Sequence, residues 1–343
     1  RDAANHAEVF VFEVDDFIES EDHQRALTLW GPIVQPQLQT LDSRFQILDS
    51  RRRMAADWLC RIQEPDGNIP PIIDPLTGRI VRQIDWPRLA FTAWALAEFG
   101  KTTKEERYTR AAEKSFEYLK KYLTQNLESR VQNLELSLAY YGQLAMALGK
   151  FADAYGATTQ IYRGLGALQF EPIAVAQVAS FFKAVSSRYR QFRALFEPLA
   201  GALKARFGEA QRGKTPMNLA QWAELVNTLW GVDQPFAENV LDWLKARQLP
   251  NGAFPESTAS DFVYTRGTEK IFEVLALDPE QNRAAIDAVL PWLLAMQYDE
   301  DNAFFIPAEH RQKVIGAFRH DYFNPEAWID AAGHILLGCT RLS

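Results

Sequence analysis

A carboxylate, an arginine and an aromatic ring meet in the segment Gln83-Ile-Asp-Trp-Pro-Arg88. Pro87 suits the first turn of a helix and Asp85 suits the residue that caps it, so a helix is predicted to begin here. One interpretation of Asp85 is capping alone. The other is that Asp85 acts as a catalytic acid or base while Arg88 and Trp86 bind a ligand at the helix start.

The segment Tyr264-Thr-Arg-Gly-Thr-Glu269 begins a second predicted helix and also combines an aromatic ring, an arginine and a carboxylate. The planar fork of Arg266 can hold a carboxylate through two hydrogen bonds, and Tyr264 could stack on a ligand or relay a proton. Glu269 is a further candidate for substrate binding, as is Glu135 at the start of another helix. The alternative is that Thr265 caps the helix and Arg266 lies at the surface.

Three of the five histidines fall near the end of the chain, together with Asp321, Tyr322 and Asp330. His320 and Asp321 are candidate acid and base groups because an imidazole titrates near neutral pH. Tyr322 and Asp330 are candidate substrate ligands. His334 follows Asp330 by four residues on one helix face, which favours a buried, hydrogen-bonded histidine. The histidine spacings match no common zinc pattern, and we predict no metal site.

These groups need a scaffold, and the periodicity of apolar residues predicts one that is almost entirely α-helical. Alternating β-branched residues are confined to a short stretch around Val9–Val14. Helix-breaking residues and helix-start signals delimit twelve predicted helices. They are expected near residues 50–63, 86–100, 104–125, 129–149, 151–168, 171–187, 188–208, 217–231, 235–248, 265–277, 280–297 and 325–341.

Three of the predicted helices end in similar sequence motifs that begin with Gln63, Gln248 and Gln297, which we call the glutamine motifs. The shared pattern is Gln, a short spacer, Asp or Asn, often Gly, and an apolar residue. A glycine supplies the positive φ that ends a helix, and the glutamine can bond the carbonyls that are freed there. Alternate helices begin at residues 86, 129, 171, 217, 265 and 325, so the repeating unit is a helix pair.

Six helix pairs can form an open stack or a closed ring, and the residue pattern favours a ring with six inner and six outer helices. Residues 89–97 are small and apolar on all sides, as an inner helix requires, whereas 104–125 carries a broad charged face. Cys60 and Cys339, which we interpret as separate thiols, lie on the first and last helices, and closure would make those helices neighbours. The long connections 64–85, 249–264 and 298–324 would gather at one mouth, beside the N-termini of the inner helices.

The glutamine motifs resemble the repeats of the α/α-toroid superfamily, which includes six-hairpin glycosidases, helical polysaccharide lyases and proteins of the squalene-cyclase and prenyltransferase type. The resemblance covers residues 50–343 and implies an all-α (α/α)6 toroid. The stretch from Tyr264 to Phe272 is similar to the Arg-Gly helix start that lines the sugar pocket of unsaturated-glucuronyl hydrolases, with a departure at Lys270. We expect residues 49–343 to form the toroid and residues 1–48 to be an extension packed on it.

Composition limits the possible partners. The formal net charge is −7 and the 37 Lys and Arg residues are scattered, which argues against nucleic acid as a partner. No apolar run approaches the roughly 20 residues that span a membrane, so we expect a soluble protein, cytoplasmic or exported after removal of a targeting peptide. The segment Gly208–Thr215 matches a phosphate-loop pattern but follows a predicted helix instead of a strand, and we predict no cofactor. Oligomeric state is left open.

Three functions are compatible with this pattern. The first is a carbohydrate-active enzyme that hydrolyses, eliminates or epimerises an acidic oligo- or polysaccharide, with Arg88 and Arg266 holding the uronate. The second is a terpenoid cyclase or prenyl-group enzyme. The segment Glu13–Asp16 is similar to the acid motif of such cyclases, although it lies outside the repeats. The third is a helical module that binds a partner without catalysis.

Overall fold

Within the described residues, twelve long helices alternate between an outer and an inner layer. The computed structural model describes residues 41–125, 133–165, 171–213 and 217–342. The outer helices are α1 (Leu41–Ile62), α3 (Glu106–Gln125), α5 (Phe151–Gly164), α7 (Arg193–Arg212), α9 (Gln234–Lys245) and α11 (Arg283–Met296). The inner helices are α2 (Trp86–Thr103), α4 (Leu134–Ala147), α6 (Pro172–Ser186), α8 (Leu219–Leu229), α10 (Thr265–Leu275) and α13 (Ile329–Arg341). A short helix, α12 (Ala308–Arg311), and a 3-10 turn, Arg190–Phe192, lie in connections.

The inner helices form a closed ring. Each contacts the next along the chain, and α13 contacts α2 as well as α10. The first and last helices also meet, because Arg52 of α1 donates a hydrogen bond to the carbonyl of Cys339 in α13. Cys60 and Cys339 do not form a disulfide in the described part of the chain. The predicted all-α (α/α)6 toroid is therefore confirmed.

Burial separates the two layers as the sequence pattern predicts. In α2, the residues from Leu89 to Gly100 are almost all buried, since neighbouring helices cover every side. In α3, buried residues such as Tyr108, Phe116 and Leu119 alternate with exposed charged ones at helical spacing. Small and apolar side chains let the inner helices approach one another, while the charged face of the outer helix remains in water.

The three glutamine motifs connect the outer helices through hydrogen bonds. Gln63 donates to the carbonyl of Ala111 at 2.8 Å, and Gln248 donates to the carbonyl of Ala285 at 2.9 Å. Gln297, at the end of the last outer helix, donates to the carbonyl of Arg51 in the first one, also at 2.9 Å. Each glutamine thus joins an outer helix to the next, and the third joins the last outer helix to the first.

A small sheet was not predicted and organises the mouth of the ring. Strand β1 (Ile72–Ile73) pairs antiparallel with β2 (Ile80–Val81) and with β3 (Ala327–Trp328). It joins the connection before α2 to the connection before α13, so two of the three long connections support each other. Because residues 327–328 pair as a strand, α13 begins at Ile329 instead of residue 325.

The N-terminal segment is described only in part. Helix α1 begins at Leu41, so the expected boundary between residues 48 and 49 falls inside it. Residues 1–40, with the stretch Val9–Val14 and the acidic segment Glu13–Asp16, lie outside the described residues, as do residues 214 and 215 of the phosphate-loop pattern. Among the described helices, none is long and apolar enough to span a membrane.

Candidate functional site

A cavity of about 270 Å³ opens where the N-termini of the six inner helices converge. This is the position that the unequal connection lengths predicted. Every inner helix contributes to the wall. The lining residues are Asp85, Pro87, Arg88, Phe91, Asn133, Leu136, Tyr140, Glu171, Ile173, Asn218, Ala220, Tyr264, Arg266, Lys270, Asp330 and His334.

Capping side chains fix three of these helix starts. Asp85 accepts a hydrogen bond from the backbone N–H of Arg88, Glu171 accepts one from Ala174, and Asn218 accepts one from Gln221. Asp85 also contacts the Arg88 guanidinium at 3.0 Å. The capping and the ligand-binding interpretations of Asp85 are thus compatible, because one oxygen serves the helix and the other faces the arginine.

Two arginines converge on one carboxylate at the cavity wall. Asp330 Oδ2 accepts hydrogen bonds from Arg88 Nε at 3.1 Å and from Arg266 Nη1 at 3.2 Å. Burial opposes the ionisation of Asp330, but the charges of Arg266 and Arg88 outweigh it and lower the pKa of Asp330 to about 2. Asp330 Oδ1 has no partner within the described part of the chain. We call Arg88, Asp330 and Arg266 the arginine cluster.

Aromatic rings flank the arginine cluster. The guanidinium of Arg88 lies 4.3 Å from the centre of the Trp328 ring. The His320 ring lies 4.7 Å from Trp328 and 5.9 Å from Tyr264, between the two. His320 Nδ1 contacts Asp321 Oδ2 at 2.7 Å. Burial opposes ionisation of Asp321, but His320 and two backbone N–H groups lower the pKa of Asp321 below its ordinary value.

Charged side chains continue below the cavity. Lys270 forms an ion pair with Glu224 at 2.5 Å, and Gln177 also donates to Glu224. His334 Nδ1 lies 2.8 Å from Glu273 Oε2. Both members of each pair are almost fully buried. The floor of the cavity is therefore polar, and its charges are compensated.

The Glu273 and His334 pair is oriented from below. Burial opposes the ionisation of Glu273, but Arg341 and the His334 hydrogen bond lower the pKa of Glu273 to about 2. Asn227 also donates to Glu273. Burial and the charge of Lys270 lower the pKa of His334, against the opposing effect of Glu273. A neutral imidazole that donates through Nδ1 to a carboxylate can accept a proton through Nε2.

Four of the predicted site residues lie away from the cavity. Glu269 is fully buried in α10, and burial together with the charge of Asp330 raises the pKa of Glu269 well above its ordinary value. Trp86 packs on Tyr118 and Tyr122 of α3. The remaining two face outer helices: Tyr322 accepts a hydrogen bond from Trp292 of α11, and Glu135 lies against Gly164 of α5.

The structure brings the remaining predicted residues together. Asp85, Arg88, Tyr264, Arg266 and Asp330 line the cavity, and His320 and Asp321 lie directly beside it. Sequence reasoning missed Phe91, Tyr140 and Lys270, and it treated His334 as structural. The available signal was the charge within one turn of α10, at Glu269, Lys270 and Glu273. Neighbouring helices cover α10, so such charges need buried partners.

The described ranges contain no group of three or more His, Cys, Asp or Glu residues arranged to hold a metal ion.

Comparison with known proteins gives the fold and no family. No protein-family model matches the chain, and no curated protein matches it. Among solved structures, a glycosidase variant in complex with glucose matches with a TM-score of 0.62 and 11% identity, over 87% of this chain and 98% of that chain. A variant of the type II terpene cyclase MstE from Scytonema, in complex with merosterolic acid A, matches with a TM-score of 0.58 and 14% identity, over 88% of this chain and 99% of that one. Both are α/α-toroids, and the chain shares that fold.

Proposed function

We propose that this protein is a carbohydrate-active enzyme that acts on an acidic, uronate-containing oligo- or polysaccharide by hydrolysis, elimination or epimerisation. The observation that supports it is the charge of the cavity wall. Three cationic side chains and three carboxylates border it, namely Arg88, Arg266, Lys270, Asp85, Glu171 and Asp330. Sugar hydroxyls and carboxylates can bind the donors and acceptors that these groups leave unused, whereas a hydrocarbon ligand would displace water from them without supplying hydrogen bonds.

Arg266 is the group best suited to hold the uronate. Its Nη1 binds Asp330, and its guanidinium lies 5.8 Å from the centre of the Tyr264 ring. A guanidinium carries five N–H donors, so Arg266 retains donors for a ligand carboxylate. Arg88 lies on the other side of Asp330 and serves the same role. Asp330 is ionised and fixes both forks in place.

Proton transfer would come from groups on two sides of the ligand. The floor provides His334, which is oriented by Glu273. The rim provides Asp85 and the His320 and Asp321 pair. Tyr264 lines the cavity and is a candidate for stacking or proton relay. Whether the reaction is hydrolysis or proton abstraction at C5 of the uronate depends on which of these groups reaches the scissile unit.

The test is a reaction with polygalacturonate, alginate and chondroitin, each followed by three readouts. New reducing ends alone indicate hydrolysis, and reducing ends with the ultraviolet absorbance of an unsaturated uronate indicate elimination. Exchange of the C5 proton with deuterated solvent, without cleavage, indicates epimerisation. Arg266→Ala should weaken binding of the active glycan by roughly ten- to hundredfold, because a charged hydrogen bond contributes about 1.5–3 kcal/mol.

Arg283→Ala is the matched control, because Arg283 is an exposed arginine on the outer helix α11. Circular dichroism should show that both variants are folded. Equal affinity of wild type and Arg266→Ala for an acidic glycan would contradict the assignment. Binding without any turnover would indicate a non-catalytic carbohydrate-binding module.

A second candidate is a terpenoid cyclase, and the aromatic part of the cavity wall is the observation that favours it. Phe91 and Tyr140 line the cavity and offer ring faces that could stabilise a carbocation. The probe is geranylgeranyl dihydroxybenzoate, which is the substrate bound to an MstE variant. Cyclised product formed by the wild type would favour this function, and no product would count against it.

A further inference from the structure

The central cavity adjoins a second, larger one. The second cavity has a volume of about 580 Å³, and its wall includes Trp86 and Ile84 together with residues of the small sheet. Asp85, Pro87, Arg88 and Asn133 border both cavities. Pockets for small ligands typically measure about 300–1,000 Å³, so the central cavity is small enough for one sugar ring and the second one offers additional room.

An aromatic stack lies on the other side of the arginine cluster. Arg88 belongs to α2, Asp330 to α13 and Arg266 to α10, and α13 lies between the other two helices. The second cavity therefore adjoins the α2 side. On the α10 side, Phe262 stacks on Tyr264 with ring centres 6.1 Å apart and planes 8° apart. Phe262 is 43% exposed, so its ring reaches solvent just outside the mouth.

We propose that these two regions are subsites for the neighbouring units of a glycan chain, which crosses the mouth with its acidic unit at the arginine cluster. This inference rests on the proposed function and specifies its substrate class as the interior of an oligo- or polysaccharide. The polarised C–H bonds on one face of a pyranose ring pack against the negative face of an aromatic ring. Trp86 and Phe262 provide such faces on opposite sides of the cluster.

The division of charge between the regions supports this arrangement. The central cavity carries charged side chains of both signs, among them the arginine cluster and Lys270, whereas the second cavity adds mainly apolar side chains to the residues that it shares. The arginine donors that Asp330 leaves unused would hold the acidic unit in the centre, and the flanking subsites accept units mainly by stacking.

The test is a length series of oligosaccharides from the active uronate polymer, from monosaccharide to hexasaccharide, titrated calorimetrically into wild type, Trp86→Ala and Phe262→Ala. Wild-type affinity should rise with length until both subsites are filled. Each variant should lose roughly three- to tenfold in affinity for long oligosaccharides and nothing for the monosaccharide, since an aromatic contact contributes about this much.

Matched controls separate stacking from general damage. Tyr155→Ala removes a ring with the same 43% exposure near the start of α5, on the face away from the mouth, and it should bind every length like wild type. Trp86→Phe and Phe262→Trp keep an aromatic face and should retain the length dependence. Circular dichroism checks Trp86→Ala, because Trp86 also packs on α3.

The outcomes distinguish the two levels of the proposal. Binding of the monosaccharide and of all longer glycans with equal affinity in every variant would overturn the flanking subsites and leave the proposed function standing. Loss of affinity for the monosaccharide in Phe262→Ala would also overturn them, because the ring would then belong to the central site. No binding of any acidic glycan at any length would overturn the proposed function and this inference together.

Discussion

Replacing Asp330 with asparagine removes the charge at the centre of the arginine cluster and keeps the shape of the side chain. Asp330 is 5% exposed and its pKa is lowered from 3.8 to about 2. That shift corresponds to about 2 kcal/mol of stabilisation at neutral pH. Leaving two partly buried guanidinium groups uncompensated adds to the loss, so the expected decrease in the free energy of unfolding is about 2–4 kcal/mol.

The effect must also depend on pH in a defined direction. The folded-state pKa of Asp330 lies below its unfolded value, so its stabilisation is fully present above about pH 4 and is lost as pH falls toward 2. Urea unfolding of wild type and Asp330→Asn at about pH 7, 5, 4, 3 and 2 measures this directly. The two curves should converge at the acid end, where the wild-type carboxyl is protonated.

Asp242→Asn is the matched control for this experiment. Asp242 is an exposed aspartate paired with Lys245 on the outer helix α9, and such surface pairs contribute roughly 0–1 kcal/mol. A decrease of less than about 1 kcal/mol in Asp330→Asn, or a difference from wild type that stays constant from neutral to acid pH, would refute the electrostatic account of the cluster.

Three further predictions follow from the buried charges. Because burial raises the pKa of Glu269 above 4.5, wild type should lose stability as pH rises above that value, and Glu269→Gln should show a smaller loss in urea unfolding; equal slopes would contradict this. Lys270→Met should lower the free energy of unfolding by about 3–5 kcal/mol, because it leaves the buried charge of Glu224 unpaired. The double variant Lys270→Met with Glu224→Leu should lose less, which a double-mutant cycle of unfolding free energies would measure; additive losses would refute the pairing. His334→Gln should keep the fold and the affinity for the active glycan while turnover falls at least tenfold, measured as kcat with the glycan at saturation; unchanged kcat would exclude His334 as the proton acceptor.

The fold was largely predictable because its repeat is local. The glutamine motifs mark the ends of outer helices at Gln63, Gln248 and Gln297, and in the structure each glutamine donates a hydrogen bond to the next outer helix. Periodicity located all twelve long helices. The small sheet was missed because its strands are two residues long and pair β1 with β3 across the chain, which leaves no periodic signal.

The site was predictable in position more than in detail. Unequal connection lengths and helix starts located the mouth, and five of the predicted residues line its cavity. The pairing of Asp330 with Arg88 and Arg266 spans 242 and 64 residues, so local sequence could not reveal that one carboxylate holds both arginines. The positions of Tyr322 and Glu135 away from the cavity were hard to foresee for a related reason, since a helix start or loop does not determine which layer a side chain faces.

A crystal structure with a bound uronate oligosaccharide tests the central claim most directly. The account predicts a sugar carboxylate within hydrogen-bonding distance of Arg266 or Arg88, a ring in the central cavity, and further units toward Trp86 and Phe262. Density for the glycan at the opposite end of the toroid, or on an outer helix with the central cavity empty, would contradict it.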